Sequence, residues 1–302
     1  MDTLFITDTF DAWTDAALSW ISDNGEWLFE FFRTVLEGTY DSVLWLLQVA
    51  PFYVIAFVAA LLGWRLINTL SGVLAGLALI FCAIMGLWSE TMSTLALVTT
   101  ATILALLVGV PTGIVAGFVK SFDRFLEPVL DLIQTLPPYI YLLPAIALLG
   151  YGPATALVAT FIVAMPIGRV PAIIATIVYG IPPMLRLTTL AFNQVPKDLL
   201  ELGQATGASP RSILFKIEIP SATPTLLVGL NQCILLSLAM VVLAGLVGAG
   251  GLGAEVTRGL TRMEMGLGLR AGLSIVAVAI LLDRVSRGVL QRRQAPGAAK
   301  AA

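Results

Sequence analysis

Residues 193–220 read NQVPKDLLELGQATGASPRSILFKIEIP, the longest polar segment in the downstream part of an otherwise strongly apolar chain. Its local chemistry predicts two short helices joined by a tight turn. Pro196 suits the first turn of a helix, where the N–H it lacks would have no partner, and 197–206 continues that helix. Gly207 supplies the left-handed backbone that ends it. Ser209 caps a second helix whose first residue is Pro210 and which runs through Phe215. Pro220 is expected to stop the chain before the next apolar run. Gly203, Ala205, Gly207 and Ala208 are small, so another surface can approach this unit closely.

Outside this segment the solvent is lipid. The 302 residues are 58% hydrophobic and 12% charged, with a mean hydropathy of +0.93. A soluble domain carries about twice that charge. Crossing a bilayer takes roughly 20 apolar residues of helix, and runs of that kind fall at 47–64, 70–88, 93–118, 127–149, 154–180, 222–247 and 266–284. Seven spans set the termini on opposite sides. With the N-terminus outside, twelve Lys and Arg residues fall inside and only Arg33, Arg258, Arg262 and Arg270 outside, Arg169 being unassigned. Basic loops are retained in the cytoplasm, so 193–220 and the C-terminus lie there.

The net charge of -2 hides an asymmetry: up to Asp41 there are nine acids and one base, giving -8, and the remainder carries +6. Within this acidic head, Phe10, Trp13, Ala17, Trp20 and Ile21 recur at helical spacing, as do Trp27, Leu28, Phe31, Phe32, Val35 and Leu36. Both stretches carry too much charge to span. Their aromatic faces suit either the headgroup boundary of the outer leaflet or packing on the transmembrane bundle. The stretch lacks the basic start and uninterrupted apolar core of a cleavable signal peptide.

Composition also excludes chemistries. The chain has no histidine, which removes the commonest general base and metal ligand and any Ser-His-Asp reading. Cys82 and Cys233 lie in apolar runs and read as small buried hydrophobes, and no metal site is expected. No Gly-Lys dipeptide occurs, so there is no Walker A phosphate loop.

The segment 193–220 resembles the signature loop of ABC importer permeases: a Glu followed by small residues, a Gly six positions later, then an aliphatic residue and a Pro ten and thirteen positions after that Gly. Here these are Glu201, Gly207, Ile217 and Pro220, with Ala208, Ser209 and Pro210 also as expected. One departure is Leu202 and Gly203 where the family has two alanines. The resemblance narrows over 126–144, 181–196, 228–253 and 280–287 to the permeases of glycine betaine, proline betaine and choline importers. It covers about two hundred residues from roughly Ser93 onward.

The resemblance implies an all-α, polytopic, type I ABC importer permease fold (MetI-like). It divides into acidic N-terminal helices (1–46), two accessory transmembrane helices (47–90), the permease core (91–290) and a cytoplasmic tail (291–302). It implies a transport subunit of the bacterial inner membrane that is not itself an enzyme and binds no cofactor. ATP and Mg belong to a partner ATPase, which Glu201, Gly203, Ala205, Gly207, Ala208, Ser209 and Pro210 would contact as coupling helices. The other expected partners are an extracytoplasmic substrate-binding protein, a second permease copy and the lipid bilayer; nucleic acid is not one.

The path is expected along the span that starts near Pro224, whose polar residues are Asn231, Gln232 and Ser237, with Met240 as a gate. Tyr139, Tyr141 or Phe192 could ease a quaternary ammonium through by cation–π contact, the alternative for each being helix packing. Residues 152–167 and 168–183 align without gaps, pairing Gly152 with Gly168 and Pro166 with Pro182. Sixteen helical residues reach only about 24 Å, so the extra unit reads as re-entrant or as part of one long kinked helix, with Arg169 near the outer surface. The competing readings are the same fold importing trimethylamine N-oxide, a sulfonate or an amino acid, and an ion-coupled secondary transporter. The latter predicts mid-span acids or long inverted repeats, and neither is present.

Overall fold

The computed structural model describes residues 2–138, 140, 145–146 and 169–298. The chain opens with α1 (Asp2–Gln48), a single helix of 47 residues. At 1.5 Å per residue it is about 70 Å long. The two stretches expected as separate helices are therefore one, because an interior glycine such as Gly25 costs only about 1 kcal/mol and does not break a helix. Trp13, Trp20, Trp27 and Trp45 are exposed along it, whereas Leu36 and Tyr40 are buried against Ala172, Ile173, Met240 and Ala244.

After Gln48 the axis turns by 96° between Trp27–Gln48 and Phe52–Arg65. Pro51 precedes α2 (Phe52–Leu66), and Asn68 caps α3 (Thr69–Ile84) by accepting a 2.8 Å bond from the Ser71 N–H. The two form a tight hairpin because glycines line the seam. A Cβ on Gly63 would lie 2.9 Å from the Gly72 backbone, and one on Gly72 only 2.5 Å from the Ala60 carbonyl. These helices have 15 and 16 residues, shorter than the expected spans 47–64 and 70–88. The hairpin nevertheless covers a membrane's thickness on α11 (Met265–Ala298). Arg270 donates to the Met85 carbonyl at one end, and Gly288 meets Ile67 at the other. Those eighteen residues rise about 27 Å.

The centre of the bundle is α4 (Trp88–Phe118), α6 (Arg169–Asn193) and α9 (Ile219–Leu246), with α6 between the other two. On α4 a four-residue repeat of small side chains faces α6. Gly109 lies against Met184, Gly113 against Thr188 and Gly117 against Phe192. Both series ascend together, so α4 and α6 run parallel. The Thr189 hydroxyl donates to the Gly113 carbonyl across this contact at 3.2 Å. Small residues four apart allow such close approach where lipid offers no hydrophobic drive for helices to associate. Between α6 and α9 the order reverses: Gly180 meets Cys233, and Gly229 meets Met184, an antiparallel seam.

Two expected spans are corrected. The run 127–149 begins inside α5 (Lys120–Thr135), an amphipathic helix that buries Leu130 against Ala116 and Leu185 and ends before Pro137. Hydropathy summed over the run cannot register the break. The run 154–180 ends too early: its described part belongs to α6, which continues to Asn193. Its interior pair Pro182 and Pro183 does not end it. Arg186, beyond the end of the expected span, lies on α6 and bonds Asp131 of α5. The first half of the near-repeat lies outside the described residues.

α10 (Gly251–Thr261) follows a turn in which Gly248, Gly250 and Gly251 have φ of 78°, 81° and 71°. It folds back so closely that a Cβ on Gly253 would lie 2.0 Å from the Val241 carbonyl. Thr94 of α4 pins this turn by accepting from the Leu252 N–H at 2.9 Å while donating to the Glu90 carbonyl. Among the described residues four helical runs are long and apolar enough to cross a membrane, or five with the bent pair, and Thr69–Ile84 is a shorter apolar helix.

Candidate functional site

The polar segment forms α7 (Lys197–Ala205) and α8 (Pro210–Ile213), joined as its residues dictate. Gly207 has φ of 72°, its N–H donates to the Gln204 carbonyl at 2.9 Å, and the Ala208 N–H reaches back to the Gly203 carbonyl at 3.0 Å. This pair of bonds closes the helix end and satisfies carbonyls that would otherwise lack donors. Ser209 accepts from the Ser212 N–H at 3.3 Å, with Pro210 in the first turn of α8.

Pro220 does not stop the chain. A wider turn, Leu214–Glu218 with a π-helical ladder, joins α8 directly to α9, giving one helical run from Pro210 to Leu246. A proline lacks the N–H and crowds the carbonyl four residues before it; widening the preceding turn relieves both.

The positions named for coupling fall into two sets. Glu201, Ala205, Gly207, Ser209 and Pro210 are exposed. Gly203 is buried beneath Ile217 and Ile213, to which an added Cβ would come within 2.8 and 3.3 Å, and Ala208 is half-buried. The departure at 202 has a structural reason, since Leu202 points outward at 61% exposure beside Glu201. With Leu199 and Phe215 it adds exposed apolar side chains to an otherwise polar face. A cavity of about 470 Å³ opens here, lined by Phe118, Gln204, Pro210, Arg211, Leu214 and Glu218, among others. The burial of Glu218 was not legible from the sequence, because the surrounding walls come from α4, α7 and α8.

The residues named for the path are divided between the two sides of α9. Gln232 is exposed, on a stripe with Val228, Ala239 and Leu246. Ser237 is buried on the opposite side and Met240 on the flank, and the Ser237 hydroxyl has no partner among the described residues, as also for Thr100 and Thr102. Asn231 accepts from the Ser286 hydroxyl of α11. Phe192 is buried, stacked edge-to-face on Phe118 at 5.9 Å. Tyr139 and Tyr141 lie outside the described residues.

At the end of the bundle opposite α7, the Arg169 guanidinium sits 4.9 Å from the Tyr40 ring centre and 3.4 Å from the Asp41 carboxylate, tying α1 to α6. A cavity of about 530 Å³ there is lined by these residues with Glu37, Ser93 and the Gly248–Gly250 turn. The acidic composition of 1–46 and the expected place of Arg169 near the outer surface hinted at this cluster.

The profile of one family, the binding-protein-dependent transport system inner membrane component, matches residues 109–298, which include every element of the coupling unit. The chain belongs to that family. This permease is 38% identical over 280 residues to the glycine betaine/proline betaine transport system permease protein ProW of Escherichia coli, covering 90% of this chain and 74% of that one. It is 35% identical over 283 residues to the glycine betaine transport system permease protein OpuAB of Bacillus subtilis, covering 94% and 95%. Among solved structures the permease is similar to a chain of the inward-facing MetNI methionine ABC transporter, with a TM-score of 0.56 and 21% identity over 68% of this chain and 95% of that one. That likeness establishes the type I importer permease fold.

Proposed function

We propose that this permease is the membrane-spanning subunit of an ATP-driven importer for methylated amines of the glycine betaine and choline type. The observation that carries the reading is identity above a third, across nine-tenths of the chain, to permeases named for glycine betaine. The coupling unit adds a physical reason: an exposed, locally rigid helix pair continuous with a membrane helix is suited to receive motion generated by another protein. The ATPase is that protein, and Glu201, Ala205, Gly207, Ser209 and Pro210 meet it.

In this reading α7 and α8 face the cytoplasm and α1 the opposite side, in agreement with the basic residues near the loop and the acids of α1. The core at 91–290 overlaps most of the matched region, while 1–46 and 47–90 brace it and 291–302 forms the tail. A second permease copy pairs through the open side of α9, because a two-fold arrangement offers two coupling units to two ATPase subunits. The path then runs along the stripe that carries Gln232, with the unpartnered Ser237 hydroxyl and Met240 reached when α6 and α9 shift. A solute without net charge, or with a single diffuse positive charge, passes without a fixed counter-ion. An extracytoplasmic binding protein delivers it beside the Arg169–Tyr40–Asp41 cluster.

The test is reconstitution in proteoliposomes with the neighbouring ATPase and binding protein, followed by a panel of betaines, choline and trimethylamine N-oxide. Methylated amines should stimulate ATP hydrolysis and be taken up. Stimulation by none of them removes the substrate class.

A further inference from the structure

The cavity beside α7 and α8 holds a feature that the coupling role leaves unused. Glu218 lines it, is only 9% exposed, and makes no hydrogen bond or ion pair with any described residue. Arg211 lines the same cavity but makes no ion pair with it. A carboxylate mostly removed from water and without a partner is unfavourable, and an opposite charge placed beside it relieves that cost.

The shape of the cavity indicates what that is. Its walls include Phe118, Ala208, Pro210, Ile213 and Leu214, and at about 470 Å³ it exceeds what one or two waters need. A space lined largely by apolar side chains with one acid among them matches a Lys or Arg side chain, which has an apolar stem and a charged tip. A free methylated ammonium has no stem to cover those walls. Apart from Phe118 of α4, the walls come from α7, α8, the turn between them and the widened turn that follows, so the protein that covers the coupling unit also closes this cavity.

We infer that the cavity is a socket for one basic side chain of the ATPase subunit, whose charged end pairs with Glu218. The inference rests on the importer reading above. Glu218 also closes the widened turn at the neck of the run Pro210–Leu246, so the pairing grips the coupling unit where it joins the membrane helix.

The experiment measures binding of the purified ATPase to the detergent-solubilised full-length permease, parent and Glu218→Gln, together with the thermal midpoint of each permease alone. Losing one partner of a buried charge pair should weaken binding at least about thirtyfold. The permease alone should melt at the same temperature or higher, because an unpaired buried charge has gone. Equal affinity of parent and variant overturns the socket, as does a midpoint that falls together with affinity, which marks a structural role. Unchanged affinity with an altered KM for a methylated amine overturns it in favour of a substrate site. A parent permease that binds no ATPase overturns the importer reading and the socket with it.

Discussion

Replacing Gly207 by asparagine, alanine and valine isolates the contribution of one backbone angle to coupling. Gly207 has φ of 72°, and a Cβ built there meets nothing within 4 Å. Any loss therefore comes from the backbone and not from crowding. Asparagine tolerates the left-handed region, alanine costs about 1 kcal/mol there, and a β-branched residue costs about 2 kcal/mol. If the strained turn opens, these costs shift the closed turn by about fivefold for alanine and thirtyfold for valine. The membrane helices do not touch the substitution, so the thermal midpoint in detergent should hold. The assay is substrate imported per ATP hydrolysed in proteoliposomes containing the complete importer. The expected order is glycine, asparagine, alanine, valine, with asparagine close to the parent. A valine variant that imports at the parental ratio, or alanine retaining more than asparagine, would refute the role of this turn.

Gly113→Leu should destabilise the α4–α6 seam by about 1–3 kcal/mol, because its Cβ would lie 2.6 Å from the Thr188 Cβ; a thermal melt of the permease would reveal it. Thr94→Val removes the acceptor for the Leu252 N–H and should cost about 1–3 kcal/mol, read as faster hydrogen exchange at that amide. Asp41→Asn should change stability by under about 1 kcal/mol, since both members of its pair with Arg169 are at least half exposed; a larger fall in melting temperature would contradict that. With Cys82 and Cys233 replaced by alanine, Gln232→Cys should react with a thiol reagent in the resting permease and Ser237→Cys should not. The reverse pattern would rule out the open side of α9 as the path.

The coupling unit was legible because its signals are local. Pro196, Gly207, Ser209 and Pro210 each act on their own backbone, and the turn they specify forms as expected. Helix boundaries in the apolar regions were less legible, because composition reports how much of a segment is apolar and not where its axis breaks. The run 127–149 merges the amphipathic α5 with the apolar residues beyond Pro137, and 154–180 stops short of the end of α6 at Asn193. The helix continues through Pro220 because the compensation lies in the preceding turn, which widens and leaves no mark in the sequence. The turn at Gly248–Gly250 leads into α10, whose packing depends on the Gly245–Gly253 contact, a tertiary fact. Asn231 stood out for its polarity alone; its bond to Ser286 joins helices across 55 residues of sequence.

The unbroken run from Pro210 to Leu246 has a mechanical gain. From Pro210 to the end of the widened turn is about 13 Å and from there to Leu246 about 42 Å, with the neck between them. A tilt about that neck multiplies displacement roughly threefold, so an ångström of travel at α8 becomes about three at the far end. That far end leads into the turn of Gly248, Gly250 and Gly251, which the bond from the Leu252 N–H to the Thr94 hydroxyl ties to α4. Amplitude grows along the rod as the force it delivers falls, so the far end moves most where it pushes least.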